Sequence, residues 1–296
     1  MPERPGAIEP GARTLSIDTD DGVILAAEQA GEESSSSSSS SPIVLLHGLT
    51  ATRRYVVMGS RLLERSGHRV IAYDARGHGR STPAPDPSAY GYERLASDLL
   101  TVLDALDIER AVLAGASMGA HTIARFALAH PERVAALGLI TPSYDPAADT
   151  TRPDAFAGWD ALARGLREGG VEGFLAAYDF APVPDAWRAT VETVVRQRLS
   201  AHDHPNAVAD ALRVVPRSRP FEHITELAAI DAPTLVVASR DEVDPGHPLA
   251  VGKRYEQAIP GARLLVEEPG PPPRSPLAWQ GGQLSKALLE LAARTS

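Results

Sequence analysis

Cysteine is absent from the 296 residues, which excludes disulfides, thiolate metal sites and cysteine nucleophiles. No apolar run approaches the ~18 residues that a membrane span needs. Residues 1–13 carry Pro, Gly and Glu but no apolar stretch of the kind that marks a secretory signal. A cytoplasmic protein with no membrane partner is expected on those two grounds. A basic stripe is lacking too: 38 acidic against 29 basic residues give a formal charge of −9, so nucleic acid is not an expected partner. What remains is a chain with 43% hydrophobic residues, enough for one sizeable core, and no internal repeat. The expected partner is a small-molecule substrate, with the protein a monomer or homodimer and no cofactor.

Residues 14–30 alternate polar and apolar side chains around Asp20-Asp21-Gly22, the pattern of a hairpin. Eight consecutive serines end at Ser41, and a tract that cannot bury apolar surface is expected to be an exposed loop. Beyond it the rhythm becomes apolar strand, then helix. Strands are expected at 43–46, 69–73, 111–115, 134–140, 234–238 and 263–266. Helices are expected at 56–66, 92–106, 118–130, 187–200 and 248–258, with a last one inside 276–294. Alternation of this kind implies a doubly wound, mostly parallel α/β sheet covered on both faces. It stops at about 142–220, which is expected to be a helical cap inserted between core segments 1–141 and 221–296.

Gly115-Ala116-Ser117-Met118-Gly119 fits G-x-S-x-G, with an apolar strand before it and a helix after it. In that setting a tight strand-to-helix turn holds the serine out at the strand end, and both glycines leave room for the turn. The helix N-terminus then offers unpaired N–H groups to a developing oxyanion. Leu46-His47-Gly48-Leu49 follows another buried strand, so the Leu49 N–H is expected to join the Met118 N–H in an oxyanion hole, with His47 propping the loop.

The order of His47-Gly48, Asp74-Ala75-Arg76-Gly77-His78-Gly79-Arg80-Ser81 and Gly115-Ala116-Ser117-Met118-Gly119 resembles the α/β-hydrolase superfamily, in particular its esterase, haloperoxidase and C–C-hydrolase branch. The resemblance covers about 14–141 and 230–293 and leaves the cap unmatched. It implies a serine nucleophile, an acid after the next-to-last strand and a histidine after the last one.

Asp241 is the first candidate for the acid, because Asp241 and Pro245 fit the family's G-x-x-D-x-x-x-P; Asp244 is the second. The histidine is missing from its family place, since none occurs after His247, and Arg274 stands near the vacancy. An arginine stays protonated and cannot accept a proton from Ser117. His247 is the first substitute, since it keeps the chain order Ser, Asp, His and lies near Asp241. His202 and His204 in the cap are further candidates. Their H-x-H spacing also fits a metal pair but lacks a clustered third ligand. His121 is expected to pack within the elbow helix, and His68, His78, His130 and His223 to lie in turns or on the surface.

The expected activity is serine-dependent acyl chemistry on a small ester or related carbonyl compound. Ser117 would attack, Asp241 would orient His247, and Leu49 and Met118 would hold the oxyanion. Two other classes fit a missing family histidine: a non-hydrolytic cyclase or lyase using the same crevice, and a catalytically silent ligand-binding protein.

Overall fold

Apolar runs of four to seven residues, too short for helices, make the centre of the sheet. The computed structural model of the chain describes residues 12–31, 41–148, 150–242, 244–268, 279 and 282–295. Most of the serine tract, and Arg274 with its neighbours, lie outside the described residues. In chain order the strands are β1 (Arg13–Asp18), β2 (Ile24–Ala30), β3 (Ile43–Leu46), β4 (Val70–Tyr73), β5 (Ala111–Ala116), β6 (Val134–Ile140), β7 (Thr234–Ala238) and β8 (Arg263–Val266). They form one sheet in the order β1-β2-β4-β3-β5-β6-β7-β8, antiparallel through β1, β2 and β4 and parallel from β4 onward. The hairpin turn at Asp20-Asp21-Gly22 uses Gly22 at φ +83°, a conformation glycine adopts without a steric penalty.

The helices are α1 (Leu62–Arg65), α2 (Tyr92–Ala105), α3 (Met118–Ala129), α4 (Ala157–Ala177), α5 (Asp185–Leu199), α6 (Pro205–Val214), α7 (Leu249–Ala258) and α8 (Gln283–Ala292). Successive side chains of β5 point to opposite faces: Ala111 and Leu113 pack with α2, α3 and α7, while Val112 and Ala114 pack with α1 and α8. Leu95, Leu99, Val102 and Leu103 of α2 are buried on the first face at helical spacing. Each such side chain contributes about 2 kcal/mol of apolar burial.

One expected helix is largely absent. Residues 56–66 contain apolar positions at helical spacing, but only α1 forms there. Met58 and Gly59 take φ +51° and +73°, which breaks a right-handed helix.

Between β6 and β7 the chain makes the excursion α4–α6. Helix α4 turns back on itself at Gly170 (φ 59°, ψ −145°), and Ala163, Leu166, Phe174, Leu199, Val208 and Leu212 form a small core of its own. That core is not separate from the sheet, because Ala207 and Ala211 of α6 and the adjacent Val215 are buried in the main one. Because β4 and β5 leave β3 in opposite directions, the loops after β3 and β5 flank the crevice where ligands of such sheets bind.

Candidate active site

Ser117 closes β5 and opens α3 with φ 51° and ψ −111°. A non-glycine residue there costs about 1–3 kcal/mol and persists only where its surroundings over-determine it. The surroundings do so. A Cβ on Gly115 would lie 2.3 Å from the Gly119 carbonyl, and one on Gly119 would lie 2.3 Å from the Leu46 carbonyl oxygen. The two glycines therefore let α3 press against β3 and β5, and the Ser117 N–H donates to Ile140 across the sheet (2.9 Å). Gly48 lies alongside: a Cβ there would meet Ser117 Cβ at 3.4 Å. Among the described residues neither the Leu49 nor the Met118 N–H finds an acceptor.

The loop from β7 to α7 brings an imidazole to the serine. The Ser117 hydroxyl and His247 Nε2 are 2.8 Å apart, and His247 Nδ1 is 2.8 Å from Asp244 Oδ1. A local turn produces this, in which the His247 N–H donates to the Asp244 carbonyl (3.1 Å) across Pro245-Gly246. The two side chains thus leave one side of a single tight turn. The carboxylate accepts from Nδ1–H, which leaves Nε2 bare to accept from the serine hydroxyl. Asp241 does not share in this. Its Oδ1 accepts from the Leu249 N–H at 2.7 Å, holding the first turn of α7. The structure therefore puts Asp244, not Asp241, on the imidazole. The family spacing assumes a histidine from a later loop, whereas here the imidazole and the carboxylate share one, and an i,i+3 neighbour reaches the ring.

A family model described as alpha/beta hydrolase fold matches residues 41–178. The 2-hydroxy-6-oxononadienedioate/2-hydroxy-6-oxononatrienedioate hydrolase 2 of Pseudomonas putida is 32% identical over 232 residues, 76% of this chain and 78% of that protein. The chain belongs to the α/β-hydrolase fold family. A protein of Pseudomonas syringae pv. syringae (strain B728a), assigned the name carbamate hydrolase RutD, is 30% identical and covers 77% of this chain and 85% of its own length. Among solved structures, a thermophilic esterase from Thermogutta terrifontis with malate bound superposes with a TM-score of 0.72 at 26% identity, covering 96% of this chain and 99% of that one. This α/β hydrolase is thus an enzyme of hydrolytic kin.

The hydrolase's other histidines are mostly committed elsewhere. His121 is buried; its Nε2 accepts from the Ser143 and Tyr144 N–H groups (both 3.0 Å), so Nδ1–H faces the Tyr92 hydroxyl (2.9 Å). His47 donates from Nδ1 to the Gly48 carbonyl (2.8 Å) and accepts from the Ala75 N–H (2.9 Å), tying the loop after β3 to that after β4. His78 lies in a turn, its N–H donating to the Ala75 carbonyl (2.9 Å), but it is buried there, its ring 5.2 Å from that of His47 and 5.5 Å from that of His202. His202 is buried as well, so it does not swing over the mouth. His204 starts α6. Among the described residues no group of three His, Asp or Glu is placed to hold a metal ion, and no helix is long and apolar enough to cross a membrane.

Arg198 of α5 was not anticipated. Its Nη2 donates to Thr50 Oγ1 at 3.2 Å and reaches the Leu49 carbonyl at 3.4 Å. Burial lowers its pKa from the ordinary arginine value. No sequence signal marks it, because its partners lie about 150 residues away.

Burial disfavours the charged imidazole and lowers His47 and His121 to about 3; a like charge on His247 adds to the effect on His121. A histidine lowered in the folded state takes up a proton on unfolding below about pH 6.5. Its stabilisation is therefore complete above that value and is lost as pH falls towards about 3. Both rings act in the same direction, so stability is expected to be markedly lower at pH 5 than at pH 7. Melting temperature is expected to fall by several degrees over that interval. A flat profile would show that these rings are not held neutral.

Proposed function

We propose that this α/β hydrolase cleaves a small ester, or a related carbonyl compound, through an acyl-enzyme on Ser117. The observation that carries the reading is the unbroken chain Ser117 hydroxyl, His247 imidazole, Asp244 carboxylate, each contact at 2.8 Å. In the first half-reaction Ser117 Oγ attacks the carbonyl carbon while its proton passes to His247 Nε2. Asp244 holds the tautomer that can receive it and stabilises the imidazolium. The carbonyl oxygen becomes an oxyanion beside the Leu49 and Met118 N–H groups, which have no acceptor among the described residues. Collapse of the intermediate breaks the ester C–O bond, and the imidazolium gives its proton to the departing alcohol. Water then repeats the sequence on the acyl-enzyme, releasing the acid and restoring Ser117.

The names of its relatives support the reaction class without choosing the substrate, since they range over esterase, carbamate hydrolase and 2-hydroxy-6-oxononadienedioate hydrolase. The test is treatment with a fluorophosphonate followed by peptide mass analysis. One adduct on Ser117, abolished in His247→Ala, is the expected outcome. Labelling elsewhere, or none at all, would remove the serine-hydrolase reading and favour a non-hydrolytic enzyme or a ligand-binding protein.

A further inference from the structure

The loop that carries Leu49 is strained in a way its own sequence does not explain. The Ala51 N–H donates to the Gly48 carbonyl at 3.0 Å, so Leu49 and Thr50 are the central residues of a tight turn. Thr50 sits at φ +69°, where glycine or asparagine is the ordinary choice and a β-branched residue is disfavoured. Such a turn holds only if its neighbours fix it.

Two imidazoles do so, one on each side of Leu49. His47 Nδ1–H donates to the Gly48 carbonyl, which shares a peptide plane with the Leu49 N–H. On the other side His202 Nε2 lies 3.1 Å from the Thr50 carbonyl, while His202 Nδ1 accepts from the Gly79 N–H at 2.8 Å. Because Nδ1 accepts, the proton is on Nε2 and points at Thr50. His202 stands in the turn between α5 and α6, so the hold on Thr50 comes from the cap. Arg198, one helical turn earlier, adds its contacts to Thr50 Oγ1 and the Leu49 carbonyl.

We propose that His202 is a positioning residue, which from the cap fixes the Leu49–Thr50 backbone and thereby the N–H that receives the oxyanion. This rests on the serine-hydrolase reading. The cap and the oxyanion hole are then one mechanical unit, and a shift of the α5–α6 turn misplaces the donor without touching Ser117 or His247.

The test uses the full chain with p-nitrophenyl butyrate as substrate and benzeneboronic acid as a tetrahedral mimic. His202→Ala is expected to lower kcat about 10- to 100-fold, somewhat less than outright removal of an oxyanion donor, with KM changed less than about twofold. Boronate affinity should weaken by a similar factor. His202→Asn, whose short amide can still accept from Gly79 but cannot reach Thr50, should lose as much. His202→Gln, which can place an N–H near the Thr50 carbonyl, should recover most of kcat. Leu291→Ala is the control, since Leu291 of α8 is fully buried in the cluster on the other face of the sheet, against which Leu49 does not pack. If kcat falls as far in Leu291→Ala at an equal loss of melting temperature, or if His202→Asn keeps kcat within about threefold, the proposal is overturned. Should turnover survive Ser117→Ala, the reading beneath it fails instead, so the two failures are distinguishable.

Discussion

Replacing Ser117 by alanine is expected to lower ester turnover by about 10³- to 10⁶-fold, and replacing His247 by alanine to lower it nearly as far. The double replacement should be no worse than the worse single one, because a nucleophile without its base and a base without its nucleophile are both idle. Steady-state kinetics on one p-nitrophenyl ester with all three variants reads this directly. One contact couples the two side chains, His247 Nε2 at 2.8 Å from Ser117 Oγ. His121, the other histidine near the elbow, has both ring nitrogens engaged inside the protein and is held neutral by burial, so it has no free lone pair for the serine. If His247→Ala keeps wild-type turnover while Ser117→Ala loses it, a base other than His247 serves the serine, and the 2.8 Å contact is incidental.

The elbow was legible in the chain because its constraints are local. A tight turn between an apolar strand and a helix demands small residues at Gly115 and Gly119, and both demands lie within five positions of sequence. The parallel sheet was legible for a similar reason, since β3, β5, β6 and β7 are nearly continuous apolar runs flanked by breaks. Residues whose roles come from distant contacts were not. His202 meets Thr50 across 152 positions and Arg198 meets the same residue across 148, and no periodicity marks either. His78 reads as a turn residue because of its glycine neighbours, yet its ring is enclosed between two other imidazoles. The short helix α1 failed differently: residues 56–66 have helical spacing, but Met58 and Gly59 take left-handed backbone and break it.

The choice between Asp241 and Asp244 turns on a side chain rather than on spacing, and it carries the second large effect. Asp244→Asn is expected to lower kcat by about 10⁴-fold while leaving the fold intact. An asparagine can present N–H to the ring, so His247 Nδ1 would be left bare to accept and its proton would move to Nε2. The imidazole would then face Ser117 with a donor where an acceptor is required. Asp241→Ala should do the reverse. It removes the acceptor of the Leu249 N–H at the start of α7, which lowers stability by about 1 kcal/mol, a typical loss for a helix N-terminal partner. Turnover should stay within about twofold of wild type, since that carboxylate makes no contact with the imidazole. Denaturant midpoints and kcat measured on both variants give a crossed pattern: activity lost with stability kept in one, stability lost with activity kept in the other. If Asp241→Ala instead lost activity and Asp244→Asn kept it, the acid would stand where the family spacing puts it. The short Asp244–His247 contact would then be only an i,i+3 turn pairing.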